Sequence, residues 1–305
     1  MLLVVLFARV ATAEDREPVR LRLGTLAIDG SRYMKDILAL GKEIDRRTRG
    51  GVELDWVSGG QLGEEAAMAD LVVRGKLDGA GFSETGLVAI APEMAAWGYP
   101  GQLEDYEGVD RATAALDAST RELFATRGTV FAMWADLGFS HLFASAPIGS
   151  LKDVLDRAAP WLTQPIDGAL TAAIKSGRAR AWTLPPLYLL AIGSTTAKAM
   201  TDLRYRYVVG GLVFSKAAWS RLTPAQRTTV LDVCHEWEPR IRASWRKESE
   251  RGVAVLQKSG VVMRAVSSAE RTTFGQVAAT YRQARAKSAK LVGLSAKITA
   301  AATTP

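Results

Sequence analysis

The chain has 305 residues, 48% of them apolar, with 39 Lys and Arg against 32 Asp and Glu, 2 His and 1 Cys. This composition excludes a disordered chain, a disulfide scaffold and a zinc centre built from histidines. The sequence contains no apolar run of about 18 residues, so it predicts no transmembrane helix.

The first predicted element is an apolar N-terminal segment, Met1–Ala13, which ends in Ala11-Thr12-Ala13 and is followed by charged residues. A short apolar run that ends in an A-x-A site is typical of a secretory signal peptide. We therefore expect residues 1–13 to be a signal peptide and the mature chain to begin near Glu14 in the periplasm. The alternative is a buried N-terminal strand or helix.

Strand and helix patterns then alternate through the first half of the chain. Period-two patterns predict strands, and apolar residues at the 3.6-residue period predict helices. The predicted elements are a strand at 19–26, a helix at 33–48 capped by Ser31, a strand at 52–57, a helix at 64–75 and a buried strand at 77–82. This order predicts a mainly parallel sheet.

Parallel sheets bind ligands at the carboxyl ends of their strands. In this chain those ends are residues 25–30, 58–61 and 82–86. We therefore expect a binding site that includes these three segments.

The second half continues with mixed elements and a basic end. We predict strands at 130–137, 142–146, 205–215 and 261–266, an extended segment at 181–186, and helices at 165–176, 224–252 (capped by Thr223, with a bend at Pro239) and 268–290. From Arg240 onward the basic residues alternate with apolar ones at helical spacing, which is typical of a solvated helix face rather than a nucleic-acid site. Residues 295–305 are small and polar and predict a flexible tail.

Catalytic and metal-binding motifs are not evident. Cys234, His235 and Glu236 are consecutive, and consecutive residues of a helix do not face one another. We therefore expect Cys234 to be a buried apolar residue, with a hydrolase nucleophile as a remote alternative. We expect no enzyme activity, no cofactor and no metal site.

Six segments resemble, in order, the TRAP-type (DctP-like) periplasmic solute-binding proteins. They are residues 23–31, 59–65, 75–81, 147–153, 208–216 and 222–226, which include the sequences LGTLA, GGQLGEE, GKLDGAG, SLKD, VVGGLV and LTPAQ. The resemblance implies an α/β, type II-like two-lobe architecture of mainly parallel sheets flanked by helices and joined by hinge strands. It also implies a small-molecule ligand and a membrane permease or carrier protein as partner.

The resemblance implies a division of the chain into lobes. Lobe 1 would span 14–134 and be completed by about 209–250. Lobe 2 would span 135–208, shortened, and be completed by about 251–294. Contact with membrane proteins would be peripheral, and we expect no nucleic-acid partner.

The departures from the family pattern concern its carboxylate-binding arginines. The strand that carries one arginine after residues 151–153 is missing here, and Ser140 occupies the position of a second. Arg180 replaces a family aspartate, and Leu184 replaces an asparagine found in some members. A buried carboxylate without a guanidinium partner is costly to desolvate, so we expect an apolar or weakly polar ligand instead.

The candidate site residues are those that match cleft segments of the family. For ligand binding they are Thr25, Tyr33, Gln61, Phe82, Ser83, Trp134, Phe139, Ser140, Trp182, Leu184 and Leu187. Two alternatives to the apolar ligand remain open. In the first, the protein is a conventional organic-acid receptor that uses Arg32 or Arg180 to bind an anion. In the second, it is an interaction or sensor subunit whose truncated cleft does not close.

Overall fold

A computed structural model describes residues 17–162, 164–285 and 289–303. The expected signal peptide lies outside the described residues. The strands are β1 (Val19–Thr25), β2 (Val52–Val57), β3 (Gly79–Ser83), β4 (Thr129–Ala144), β5 (Ala181–Leu184), β6 (Ala199–Thr201), β7 (Arg206–Ser215) and β8 (Val262–Arg264).

Helices flank these strands along the whole described chain. They are α1 (Arg32–Arg47), α2 (Glu65–Val73), α3 (Glu84–Ile90), α4 (Tyr106–Thr126), α5 (Leu151–Ala158), α6 (Gly168–Lys175), α7 (Pro186–Ala191), α8 (Lys216–Arg221), α9 (Pro224–Lys258), α10 (Ser268–Arg285) and α11 (Ala289–Thr303). A 3-10 helix covers Pro92–Gly98. None of the helices in the described ranges is long and apolar enough to cross a membrane.

The described strands form one connected mixed sheet in the order β2-β1-β3-β7-β4-β6-β8, and β5 pairs with β4 outside this path. β1 is parallel to β2 and β3, and β6 is parallel to β8. The long strands β4 and β7 are antiparallel to each other and to their remaining neighbours. The sheet is therefore mixed, and the expectation of a mainly parallel sheet is wrong, because every pairing made by β4 and β7 is antiparallel.

β4 is a single strand of 16 residues, not the two strands expected at 130–137 and 142–146. Its pairing with β7 shifts register between Phe131 and Met133 and again between Asp136 and Gly138. Gly138 has a φ of 92°, a backbone conformation that favours glycine. In the sequence this glycine resembles a turn between two strands, whereas in the structure it lies inside one strand. β4 pairs with β7 along its first part and with β5 and β6 along its last, so it spans both sides of the molecule.

The helix caps follow the sequence signals. The Ser31 hydroxyl accepts a hydrogen bond from the Met34 amide at 3.2 Å and begins α1. Thr223 and Gln226 form a capping box at the start of α9, whose first residue is Pro224. α1 buries Met34, Ile37, Leu40 and Ile44 on one face.

The chain from 295 to 303 is helical, so the expected flexible tail is wrong up to that point. Ile298 is fully buried, and α11 packs against α4 and the 3-10 helix. Arg111 Nη2 donates to the carbonyl oxygen of Ala302 at 2.5 Å. A Cβ at Gly108 would lie 3.3 Å from that oxygen. The small residues that suggested a disordered tail instead allow close helix packing.

A buried ion-pair network links α9 to β4. Asp136 is 1% exposed and accepts hydrogen bonds from Arg242 Nε at 3.0 and 3.1 Å. Arg246 Nε donates to the same carboxylate at 2.7 Å, and its two Nη atoms donate to Asp110 of α4 at 2.8 and 2.6 Å. The network therefore joins α4, β4 and α9 beside the register shift of β4.

Candidate functional site

A cavity of about 590 Å³ lies at the carboxyl ends of β1 and β3. The middle of β4 and of β7 contributes Met133, Ala135 and Leu137, together with Gly211 and Leu212. Residues of α1, several residues of α7 and the part of α9 near Trp245 also line it. Two of the three predicted strand ends, 25–30 and 82–86, therefore contribute to this cavity.

The cavity walls are apolar and rich in aromatic rings. The aromatic residues that line it are Tyr33, Trp56, Phe82, Tyr188 and Trp245. The rings of Tyr33 and Trp245 lie 4.3 Å apart between centroids at an interplanar angle of 51°. Such walls bind the carbon body of a ligand by buried area.

Glu65 organises the junction of β3 and α3 behind one wall. Its carboxylate accepts hydrogen bonds from the Ser83 amide at 2.7 Å, the Ser83 hydroxyl at 2.5 Å and the Gly86 amide at 2.9 Å. Burial raises the pKa of Glu65, and these hydrogen bonds oppose the rise. Its oxygens are already used by the protein, so Glu65 and Ser83 serve mainly to shape the wall.

Arg32 is the one arginine that lines the cavity within the described ranges. Its Nε donates to Ser244 Oγ at 2.7 Å and to Asp36 Oδ2 at 3.1 Å, and its Nη2 lies 3.0 Å from Asp36 Oδ1. Asp36 also accepts from Trp245 Nε1 at 3.0 Å. These contacts orient the guanidinium, and its Nη1 has no hydrogen-bond partner in the part of the chain that the structure describes.

Two further carboxylates line the cavity near its opening. Asp29 is exposed, and Glu248 of α9 has a side chain that is 25% exposed. Glu248 Oε1 accepts from Arg251 Nη1 at 2.7 Å. Burial, together with nearby carboxylates that include Glu248, raises the pKa of Tyr33. Tyr33 is therefore a neutral hydrogen-bonding group at this wall.

The structure brings some of the predicted site residues together in the cavity and leaves the others outside it. The cavity is lined by Thr25, Arg32, Tyr33, Phe82, Ser83 and Leu187. The residues outside it are Gln61, Trp134, Phe139, Ser140, Arg180, Trp182 and Leu184. A role in ligand binding for the first group stays a prediction.

The residues of β4 that miss the cavity do so because of strand geometry. Successive side chains of a strand point to opposite faces, so Trp134 lies behind the wall that Met133 and Ala135 form. Its ring packs 4.9 Å from Trp97, and its Nε1 donates to Asp117 at 3.0 Å. The register shift after Asp136 reverses the alternation, and Phe139 packs against Tyr207 at 4.9 Å.

The remaining predicted residues lie in the core or at the surface. Trp182 is fully buried and stacks on Phe143 at 6.4 Å, and Leu184 is buried in the same cluster. Ser140 is buried, and its hydroxyl has no partner in the described chain. Gln61 and Arg180 are exposed. Arg180 therefore does not contact the cavity.

The cavity residues that sequence reasoning missed include Trp56, Tyr188, Trp245 and Glu248. Trp56 is the residue before the last residue of β2, two positions before the predicted strand-end segment. Trp245 and Glu248 are three positions apart on α9, a spacing that places both on one helix face. The spacing of Trp245 and Glu248 does not reveal that α9 reaches the cavity, because that contact joins residues far apart in the sequence.

The described residues include a buried cysteine, and their carboxylates and histidines are spread through the fold. Within the described ranges no three His, Cys, Asp or Glu side chains are grouped as metal ligands would be. Cys234 is fully buried in α9, and burial raises the pKa of its thiol to about 12. A thiol with such a pKa is a poor nucleophile.

We expect Cys234 to be unreactive toward a disulfide reagent in the native protein. Burial both blocks access and keeps the thiol protonated, so labelling requires unfolding. Release of the coloured thiolate from Ellman's reagent, followed with and without denaturing urea, measures this directly. Fast labelling of the native protein would contradict the burial of Cys234.

Comparison with solved structures gives the fold. A TRAP periplasmic solute binding protein from Desulfovibrio salexigens with bound orotic acid matches with a TM-score of 0.81 and 18% identity, covering 93% of this chain and 100% of its own. A sugar acid binding protein from Advenella mimigardefordensis in complex with galactonate matches with a TM-score of 0.82 and 15% identity, over 94% and 99%. The fold is thus the two-lobe periplasmic-binding-protein architecture, with a mixed sheet flanked by helices.

A third structure and a sequence profile complete the comparison. A TRAP periplasmic solute binding protein from Haemophilus influenzae with bound L-gulonate matches with a TM-score of 0.82 and 14% identity, over 92% of this chain and 99% of its own. No curated protein sequence matches the chain. The profile of the bacterial extracellular solute-binding proteins, family 7 (DctP), matches residues 23–156 and 194–288. The chain therefore belongs to the DctP family of bacterial extracellular solute-binding proteins.

Proposed function

We propose that this protein captures an organic acid with an apolar carbon body and delivers it to a TRAP-type membrane permease. Family membership supports ligand capture and delivery. The similar structures hold acids such as orotic acid, galactonate and L-gulonate. These acids favour the organic-acid alternative over the apolar or weakly polar ligand expected from the sequence.

One observation carries the proposal: an apolar and aromatic cavity whose wall, among the residues that the structure describes, contains one arginine, Arg32. A guanidinium makes the burial of a carboxylate tolerable. Arg32 is that group rather than Arg180, because Arg180 is exposed outside the cavity. The free Nη1 of Arg32 is the donor available to a ligand carboxylate. Apolar walls then favour a hydrocarbon or aromatic body over a polyhydroxylated one.

Location and lobe division accompany this proposal. We propose that residues 1–13 direct export to the periplasm and that the cleft lies between lobes that divide near residue 134. A shortened second lobe remains a prediction. The profile match is interrupted between 157 and 193, in the region where the sequence departs from the family pattern.

The test compares ligands that differ from one another either in the charge of the head group or in the polarity of the carbon body. We expect 3-phenylpropanoate to bind at least about tenfold more tightly than 3-phenylpropanamide, since a hydrogen bond to a charged group contributes roughly 1.5–3 kcal/mol. Isothermal titration of the ligand-free protein measures both affinities. Glucuronate, with the same charge and a polar body, is the matched control and should bind more weakly than 3-phenylpropanoate.

Three results would contradict the proposal. Equal binding of the amide and the acid would restore an uncharged ligand. Tighter binding of glucuronate than of 3-phenylpropanoate would show that the cavity walls do not favour an apolar carbon body. No response to any acid would favour the sensor alternative, whose cleft does not close on a ligand.

A further inference from the structure

The cavity wall carries carboxylates as well as the guanidinium that would bind an acid. Three carboxylates, those of Asp29, Glu65 and Glu248, line the cavity together with one guanidinium, that of Arg32. The guanidinium is already paired with Asp36. A simple acid would pair with the Arg32 guanidinium and would bring no positive group to these carboxylates.

We infer that the ligand is an amino acid with an apolar side chain, whose ammonium group is bound by Glu248. This inference rests on the proposed function and adds a positive group to the acid. The ammonium group also gives Glu248 a positive partner that a simple organic acid would not supply.

Glu248 is the carboxylate that is free to bind the ammonium. Glu65 already accepts three hydrogen bonds from Ser83 and Gly86, and Asp29 is exposed. Glu248 Oε2 has no hydrogen-bond partner among the described residues. Its other oxygen is paired with Arg251, whose side chain is 69% exposed. An exposed pair of this kind contributes little and yields readily to a ligand.

Aromatic rings surround the same position. Trp245 lies three residues before Glu248, so both side chains share one face of α9. Tyr33 packs against Trp245 with ring centroids 4.3 Å apart. Aromatic faces attract ammonium groups through their negative quadrupole. The Tyr33–Trp245 wall and Glu248 therefore favour a cation in two independent ways.

The Arg32 guanidinium is anchored to α9 about one helical turn before Glu248. Arg32 Nε is held by Ser244 Oγ at 2.7 Å. Ser244 and Glu248 are four residues apart on α9, which is about one helical turn or roughly 6 Å along the axis. An α-amino acid carries its carboxylate and its ammonium on the same carbon, so it presents both groups to this part of the wall, and the remaining apolar walls accommodate its side chain.

The test uses compounds that share one body and differ in charge. The first set is L-phenylalanine, 3-phenylpropanoate and 2-phenylethylamine, and the second is L-leucine, 4-methylpentanoate and 3-methylbutylamine. In isothermal titration we expect each amino acid to bind at least about tenfold more tightly than its deaminated acid. Glu248→Gln should remove this preference while leaving the affinity for the acid unchanged or higher.

Glu250→Gln is the matched control, since Glu250 lies on the same helix and lines a different, smaller pocket. It should keep the preference for the amino acid. Acids that bind as tightly as the amino acids, or a preference that survives Glu248→Gln, would overturn the inference and leave the proposed function intact. Amines that bind while the acids and amino acids do not would contradict the proposed function itself. No response to either set, the acids included, would contradict both the inference and the proposed function.

Discussion

Asp136→Asn is expected to lower the free energy of unfolding by about 3–5 kcal/mol, the range found when one partner of a buried ion pair is removed. Asp136 is 1% exposed and accepts hydrogen bonds from Arg242 and Arg246. The Arg242 side chain is 8% exposed. Neutralising Asp136 leaves this guanidinium buried without its main counter-charge, whereas the asparagine preserves the volume of the site.

Urea unfolding followed by tryptophan fluorescence measures this loss. Asp70→Asn is the matched control, because Asp70 and Arg74 form an ion pair on α2 with side chains 55% and 69% exposed. We expect the control to change stability by less than about 1 kcal/mol. Similar effects of the two substitutions would show that the Asp136 network does not stabilise the junction of α4, β4 and α9.

Arg32→Gln is expected to weaken the binding of 3-phenylpropanoate by about ten- to a hundredfold, since it removes the charged donor of the cavity. The Arg32 side chain is 52% exposed, and its ion pair with Asp36 spans one turn of α1. Stability should therefore change little. Titration of the acid and a thermal melt of the same preparation separate the two effects.

Arg180→Gln provides the matched control for Arg32. Arg180 was the other candidate anion-binding residue, and its exposed side chain lies away from the cavity. We expect Arg180→Gln to leave the affinity unchanged. Loss of binding in Arg180→Gln, or full affinity in Arg32→Gln, would reverse the assignment of the carboxylate-binding group.

The local part of the fold follows directly from sequence signals. Ser31 and Thr223 begin helices at the predicted positions because capping depends on residues a few positions apart. The strand-end rule also located Thr25 and Phe82 at the cavity, since strand order and direction constrain where those ends meet. These features depend on short-range pattern and topology.

Side-chain direction along β4 could not be predicted in the same way. Trp134 and Phe139 matched the family's cleft segment, but alternation and a register shift turn both into the core. A register shift is set by pairing with β7, more than 60 positions away, and leaves only the weak signal of Gly138. A one-residue shift reverses every side chain beyond it.

The contribution of α9 to the site could not be predicted from the sequence either. Its helical pattern predicted the element itself, and the tertiary packing decides what that helix contacts. Trp245 and Glu248 reach the cavity only because α9 packs on α1 and β4. The hydrogen bonds between Arg242 and Asp136 join residues separated by 106 positions. No local pattern encodes such a distance.

Mass spectrometry of the molecule released by unfolding from protein isolated from its native source identifies the ligand itself. The proposed function predicts a small carboxylic acid with an apolar carbon body, in about equal molar amount to the protein. A polyhydroxylated sugar acid, a dicarboxylate or a neutral lipid in that amount would contradict it.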